Sequence, residues 1–402
     1  MACTLSTMST RSSAGHSAGH STLRPPAGAP LRGLASAEGT RRYAARRGGG
    51  LGPDFYRPLA GARIGEAASA VAPLVSALAL GTYLGECDDR DDLAYQSATR
   101  AALARGVNLL DTAINYRCQR SERAVGAALA AAVDAKSVSR DEVVLCTKGG
   151  LIALDGQPPA TREAYQEYLE REFFAPGVMT PADVVAGGHC LAPAYLAHQL
   201  ARSRANLGVE AVDVYYLHNP EQQLDHVEHA TFRDRLRDAF AFLEDRVARG
   251  EIGRYGCATW NGLRTPPRTR GHLSLGELVE IATEVGGAGH HFAVVQLPLN
   301  LAMTEAVRVP TQEVRVSRGA TRNVPLVEAA AEFGIAVIGS ATLMQGQLAH
   351  GLPDQLRDAL PHLDTDAQRA IAFSLALPGL TTAIVGMRSE GHVVENLVVG
   401  KG

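Results

Sequence analysis

Two patterns of apolar and polar positions alternate along most of this chain. Short runs of about five to seven residues are continuously apolar, at Val75–Gly81, Val107–Ala113, Val143–Gly149, Val212–His218, Tyr255–Thr259, Ala293–Leu297, Ala336–Ser340 and Thr382–Gly386. Between and after them the apolar residues recur at helical spacing, across Asp91–Arg105, Ser121–Ala135, Ala194–Leu207, Phe232–Arg249, Leu275–Val285, Pro325–Phe333, Asp364–Leu377 and Glu390–Val398. Strands that are apolar on both faces belong in a parallel sheet covered by helices. Gly106, Gly208, Gly250, Gly286 and Gly334 stand where helix C-caps are expected. Strand–helix units repeated in this way predict an α/β fold, a closed (β/α)8 TIM barrel. A doubly wound sheet is the alternative, but no strand–glycine loop–helix fingerprint accompanies it.

The flanks and spacers read differently. Residues 1–40 are rich in Ser, Ala, Gly, Pro and Arg, with Glu38 as the sole acid. They predict a disordered extension, the other reading being an organelle transit peptide. The ordered domain is placed at residues 55–402, opening with a small hairpin at Tyr56–Ile64. Gly15-His16-Ser17-Ala18-Gly19 has the spacing of a nucleophile elbow, but it lies inside the repeat SAGHSAGHS with no strand before it and no helix after it. The Gly48–Gly52 cluster lacks dinucleotide-loop spacing. Two spacers are long: an insertion at 151–193 and the stretch Met303–Val324. On a barrel both fall at the C-terminal face, where ligands bind.

Composition narrows the function. With 402 residues, 46% of them hydrophobic, the chain can bury a large core; a net charge of −3 gives no global reason to expect nucleic acid or a membrane surface. No apolar run approaches the roughly 20 residues of a membrane helix. The six cysteines are scattered without a CxxC pair, which fits a reduced cytoplasmic enzyme and neither a disulfide framework nor a zinc site. Only Lys136, Lys148 and Lys401 are lysines, so a lysine at the end of an apolar strand is expected to be there for its amine.

The chemistry gathers at strand ends. GVNLLDTAINYRCQRSE, Gly106–Glu122, puts Asp111 and Tyr116 just past the second strand, and Lys148 and His218 end later ones. A lysine ammonium beside a phenol favours phenolate, a carboxylate offsets the desolvation of the lysine, and a histidine orients a carbonyl oxygen or relays its proton. Together they make a tuned general acid/base aimed at a small-molecule carbonyl or alcohol, with no nucleophile and no metal set. The missing redox partner is a nicotinamide. A non-catalytic nicotinamide-binding regulatory or scaffold protein, and a Schiff-base lyase acting through Lys148, are the competing readings.

DTAINY, CTKGG and DVYYLHNP, in that order at strand ends, resemble the aldo-keto reductase family, and the similarity runs from about Gly81 to Leu397. RVARGEIGRYGCAT, QLPLNL and IVGMRSEGHVVENL are similar to later passages of that family. The resemblance implies a barrel closed by an N-terminal hairpin, reducing an aldehyde or ketone with NADP(H), or NAD(H), without a Rossmann domain. It makes Tyr116 the proton donor, Lys148 and Asp111 its tuning pair and His218 the carbonyl-orienting residue. It places Gly81, Thr82 and Tyr83 beside the nicotinamide and ribose, Gln296 on the carboxamide, and Thr259 where the family usually has Asn. Ser340 stands where many members stack a Tyr on the nicotinamide, so that stacking falls to another residue such as Trp260; Leu343 lies just beyond on the cofactor side. Arg388 and Ser389 are assigned to the 2′-phosphate, with His392 where an Arg is common, and Glu395 and Asn396 to adenine. His189 and Cys190, at the end of the insertion, line a lid or pack; without a third ligand they make no metal site.

Overall fold

The computed structural model describes residues 23–26, 28–60, 71–315 and 320–401. The Gly15–Gly19 motif and positions 61–64 of the expected hairpin lie outside them. Twelve strands are present among the described residues. In chain order they are β1 (Tyr56–Pro58), β2 (Leu74–Ser76), β3 (Leu78–Gly81), β4 (Leu109–Asp111), β5 (Val144–Gly149) and β6 (Val212–His218). There follow β7 (Ile252–Ala258), β8 (Phe292–Pro298), β9 (Gln312–Arg315), β10 (Thr321–Val324), β11 (Ala336–Ser340) and β12 (Leu380–Gly386). Eight of them, β3 to β8 with β11 and β12, pair in parallel and close on themselves, β8 onto β11 and β12 onto β3. The chain folds as a (β/α)8 barrel.

All the strands expected from continuous apolar runs are there, but the first is divided. Leu74–Ser76 pairs antiparallel with β1, and only Leu78–Gly81 enters the barrel. The break is made by polar side chains that take over the backbone bonds. Asn108 accepts from Ser76 N–H at 2.8 Å and donates to Leu74 C=O at 2.8 Å, while Ser76 Oγ donates to Leu78 C=O at 2.7 Å.

Two apolar layers hold the barrel. Inside, Ala79, Leu109, Val144, Val214, Val294 and Ala336 form one buried cluster with Leu59 and Val75, which the β1–β2 pair brings in as a plug. Outside, Leu110, Leu145, Tyr215, Leu217, Val295 and Val337 pack against helix residues such as Leu103, Leu129, Leu200, Phe240, Ile281 and Ile371. Each fully buried side chain of this kind contributes about 1.5–3 kcal/mol.

The expectation of disorder through residue 40 is corrected for its end. Ala37–Arg47 is a helix, capped by Ser36, whose Oγ accepts from Gly39 N–H at 2.8 Å. Tyr43 is fully buried and donates its hydroxyl to Leu103 C=O at 2.7 Å. Arg42 and Arg46 reach the buried Glu142 carboxylate at 3.1 and 2.7 Å. Leu31 bridges to Val209. This segment carries few apolar residues, so composition hides it; charge pairing and one tyrosine anchor it.

The described residues of the two long spacers are structured. The insertion holds the helix Arg162–Leu169, a π-helical turn at Glu170–Phe174, and Leu169, Phe173, Met179 and Cys190, which form a small core with Tyr195 of the next helix. The second carries a short helix, Glu305–Arg308, and the antiparallel pair β9–β10. Among the described residues no helix is long and apolar enough to cross a membrane.

Candidate active site

Strand periodicity explains why the chemistry converges. Alternate residues of a strand point to opposite faces. In β4 Leu109 belongs to the inner cluster, in β5 Val144 and Cys146 do, in β6 Val214 and Tyr216, and in β8 Val294. Two positions on, the same inward rows end in Asp111, Lys148, His218 and Gln296. The apolar lower barrel thus delivers polar groups together at its C-terminal mouth.

Lys148 is fully buried and donates to Asp111 Oδ1 at 2.6 Å and to Thr112 C=O at 2.8 Å. Asp111 Oδ2 accepts from Gln296 Nε2 at 2.8 Å. Lys148 Nζ also lies 4.8 Å from the centre of the Tyr116 ring. The half-buried Tyr116 ring is edge-on to His218 at 5.8 Å and to Tyr83 at 5.0 Å. All four expected catalytic residues therefore stand together.

The turn that presents Tyr116 is strained. Arg117, Cys118 and Gln119 all have positive φ, at 48°, 53° and 68°, a conformation that costs non-glycine residues of the order of 1 kcal/mol each or more. Arg117 holds it in place, through Asp92 Oδ1 at 2.6 Å and Glu86 C=O at 2.8 Å.

Burial raises the Tyr116 phenol above its usual 10; Lys148 acts in the opposite direction but does not prevail, and Asp111 adds to the rise. The expected lowering by Lys148 is thus present but outweighed. Burial also disfavours the lysine charge, yet Asp111 and Tyr116 more than restore it, so Lys148 is held as ammonium. His218 is pushed well below 6.5 by burial, with Lys148 and His189 adding to the shift, and is neutral. The site holds a protonated phenol, a fixed cation and a neutral imidazole.

His189, from the end of the insertion, supports His218 from behind. Its Nε2 donates to His218 C=O at 2.8 Å, and its Nδ1 accepts from Gln223 Nε2 at 2.8 Å. Gln223 is in turn held by Arg235. Gly150, at φ +121°, gives His189 its room: a Cβ there would stand 3.3 Å from Nε2. Burial lowers His189 to about 4. Both histidines are therefore neutral when folded and take up protons near 6.5 when unfolded. Between about pH 6.5 and 4 the unfolded chain binds more protons, so stability falls as pH falls. His189 alone accounts for roughly 3 kcal/mol over that range. His189→Asn is expected to flatten the slope of urea-unfolding free energy between pH 7.5 and 5; an unchanged slope contradicts the assignment.

The positions expected to hold a cofactor fall in two groups. In the first, Gly81 is in register with Asp111 and Gly386. Thr82 is buried and donates to Asp111 C=O at 3.2 Å. Tyr83 is 46% exposed and touches Tyr116 with an edge. Thr259 N–H donates to Gln296 C=O at 2.8 Å, while its buried Oγ1 has no partner. Ser340 ends β11, and Leu343 follows it, part-buried against the outer core.

The second group follows β12. Arg388 is half-exposed and paired with Asp91 at 3.2 Å. Ser389 caps the helix Glu390–Asn396, accepting from His392 N–H at 3.2 Å. Glu395 accepts from Thr365 Oγ1 at 2.8 Å, and Asn396 is buried. The two groups adjoin where β3 and β12 run side by side.

Sequence reasoning missed Glu221, Gln223 and Arg235. The buried Glu221 carboxylate accepts from Trp260 and Asn261 N–H at 2.8 and 3.3 Å and fixes the turn after β7. The only signal was its place just after LHNP, beyond a strand end. Gln223 and Arg235 left none, because their partner lies in the insertion.

Residues 77–265 match the model of the aldo/keto reductase family. Among curated proteins none matches the chain. Two of the solved structures that are similar to this chain come from one organism. An aldo/keto reductase from Klebsiella pneumoniae in complex with NADP and acetate shares 21% identity, covering 84% of this chain and 89% of that one, with a TM-score of 0.54. An aldo-keto reductase from Klebsiella pneumoniae in complex with NADPH shares 19% identity, covering 86% and 89%, again at 0.54. At these identities the likeness supports the barrel fold. The stretch that matches the aldo/keto reductase family model, residues 77–265, carries Asp111, Tyr116, Lys148 and His218.

Proposed function

We propose that the chain is an NADP(H)-dependent oxidoreductase that interconverts a small-molecule aldehyde or ketone and its alcohol, with Tyr116 as the proton donor in reduction. The observation that carries this reading is Lys148, hydrogen-bonded to Asp111 and set 4.8 Å from the centre of the Tyr116 ring, with that ring edge-on to His218 at the C-terminal mouth. The residues at that mouth fit a nicotinamide: Thr259 Oγ1 is buried without a partner, and the Gln296 amide is already oriented by Asp111. Gly81, Thr82, Tyr83, Thr259, Gln296, Ser340 and Leu343 would hold the nicotinamide end, and Arg388, Ser389, Glu395 and Asn396 the adenosine end.

When bound, the cofactor supplies or accepts the hydride. The protein's part is proton control. Tyr116 keeps its proton at neutral pH because burial raises the phenol, and gives it to the carbonyl oxygen as negative charge builds there. Lys148 offsets the phenolate left behind, and Asp111 keeps Lys148 charged while Gln296 takes the second carboxylate oxygen. His218, neutral, offers one N–H to orient the carbonyl oxygen without competing as an acid.

Preference for NADP(H) over NAD(H) rests on Arg388, the cation after β12, and on the nucleotides of the two similar structures. Fluorescence titration of the full chain with NADPH and NADH, followed by a panel of aldehydes and ketones, tests the proposal. Tighter binding of NADPH with carbonyl-dependent oxidation supports it. Binding with no turnover across the panel favours a nicotinamide-binding regulatory protein, and no binding of either nucleotide rejects both readings.

A further inference from the structure

Six cysteines lie scattered in the sequence, yet the fold sets two of them side by side. Cys87 is on the loop between β3 and the helix Asp89–Ala104; Cys118 is the second residue after Tyr116. Cys118 acts directly on the Cys87 thiol, and neighbouring residues of one turn touch both backbones, so the two side chains adjoin. Cys87 is half-buried and reachable, whereas Cys118 is buried behind it.

One turn of the insertion grips both backbones. Gly156 N–H donates to Cys118 C=O at 3.0 Å, and Gln157 Nε2 donates to Cys87 C=O. This arrangement is local to the pair. Cys146, Cys190 and Cys257 are buried, and burial raises each thiol, that of Cys190 to about 12. Cys87 moves the other way: Cys118 lowers it, burial opposes, Arg117 and Arg120 lower it further, and Glu86 raises it slightly. Thiolate character and access together decide which cysteine an oxidant attacks.

We propose that Cys87 and Cys118 form an oxidation site for small hydroperoxides, Cys87 being attacked first and Cys118 resolving it to a disulfide. In the first step the Cys87 thiolate attacks one oxygen of hydrogen peroxide. The O–O bond breaks, a proton is taken up, and Cys87 sulfenic acid and one water result. In the second, Cys118 sulfur attacks the sulfenic sulfur, the S–O bond breaks, and hydroxide leaves as water with the Cys118 proton. Two thiols are oxidised to one disulfide, and one hydrogen peroxide is reduced to two waters. The new bond joins the loop after β3 to the strained turn that presents Tyr116, so this handle lies beside the reaction site without any of its four groups taking part.

The test needs no substrate and does not depend on the proposed reduction. The full chain is reduced, freed of reductant, exposed to stepwise hydrogen peroxide, alkylated, digested and mapped by mass spectrometry. The expected first product is the Cys87–Cys118 cross-link, reversed by dithiothreitol, with Cys87 lost at least about tenfold faster than Cys146, Cys190 or Cys257. In Cys118→Ser, checked for folding by circular dichroism, Cys87 is expected to accumulate as a dimedone-reactive sulfenic acid and then sulfinic acid. The proposal is overturned if wild-type Cys87 passes to sulfinic acid while Cys118 remains alkylatable. It also fails if Cys87 pairs with Cys3 instead, or if both thiols outlast the other cysteines.

Discussion

Tyr116→Phe is expected to lower carbonyl-dependent NADPH oxidation by about 10²–10⁴-fold, the range a positioned proton donor contributes, with little change in NADPH affinity. The substitution removes one oxygen. The ring keeps its edge contacts with His218 and Tyr83, and Lys148 keeps Asp111 and Thr112 as partners. Because packing and the buried charge pair survive, the loss should fall on kcat, and a steady-state kcat and KM comparison measures it. A variant retaining more than about a tenth of wild-type kcat would mean that another group delivers the proton, since general acid catalysis is worth more than that.

Lys148→Met carries the second large effect, and it separates stability from chemistry. It leaves the Asp111 carboxylate buried with only Gln296 donating to it among its side-chain contacts. Removing one partner of a buried ion pair costs about 3–5 kcal/mol, so the urea midpoint should fall sharply. The paired replacement Lys148→Met with Asp111→Leu removes both charges and should recover most of that stability, because an apolar pair of similar size replaces a desolvated one. Neither variant should turn over a carbonyl at a useful rate. Recovery of activity in the paired variant would show that the charges serve folding and not proton transfer.

Much of this was legible in the sequence, and the reason is periodicity. Continuous apolar runs locate every strand of the barrel, and the alternation within them sends Asp111, Lys148, His218 and Gln296 to one mouth. The scarcity of lysine singled out Lys148 before any geometry was known. What escaped has a common cause: pairings between distant segments carry no local pattern. The helix Ala37–Arg47 is held by Glu142 and by the carbonyls of Leu103 and Val107, none of which its own composition announces. The support of His218 by His189, Gln223 and Arg235 depends on where the insertion folds back. Cys87 and Cys118 belong to two loops that meet only once the barrel closes. The sign of the Tyr116 shift turned on burial, which a sequence does not measure.

The most direct test of the central claim follows the hydride and the proton separately. NADPH labelled with deuterium at the transferable C4 position, incubated with the wild-type chain and a carbonyl compound it turns over, is expected to place the label on the carbinol carbon, while the hydroxyl proton exchanges with solvent. Tyr116→Phe should show the same placement of label at a much lower rate. Deuterium released to solvent, or an alcohol formed without label, would contradict hydride transfer at this site and with it the proposed function.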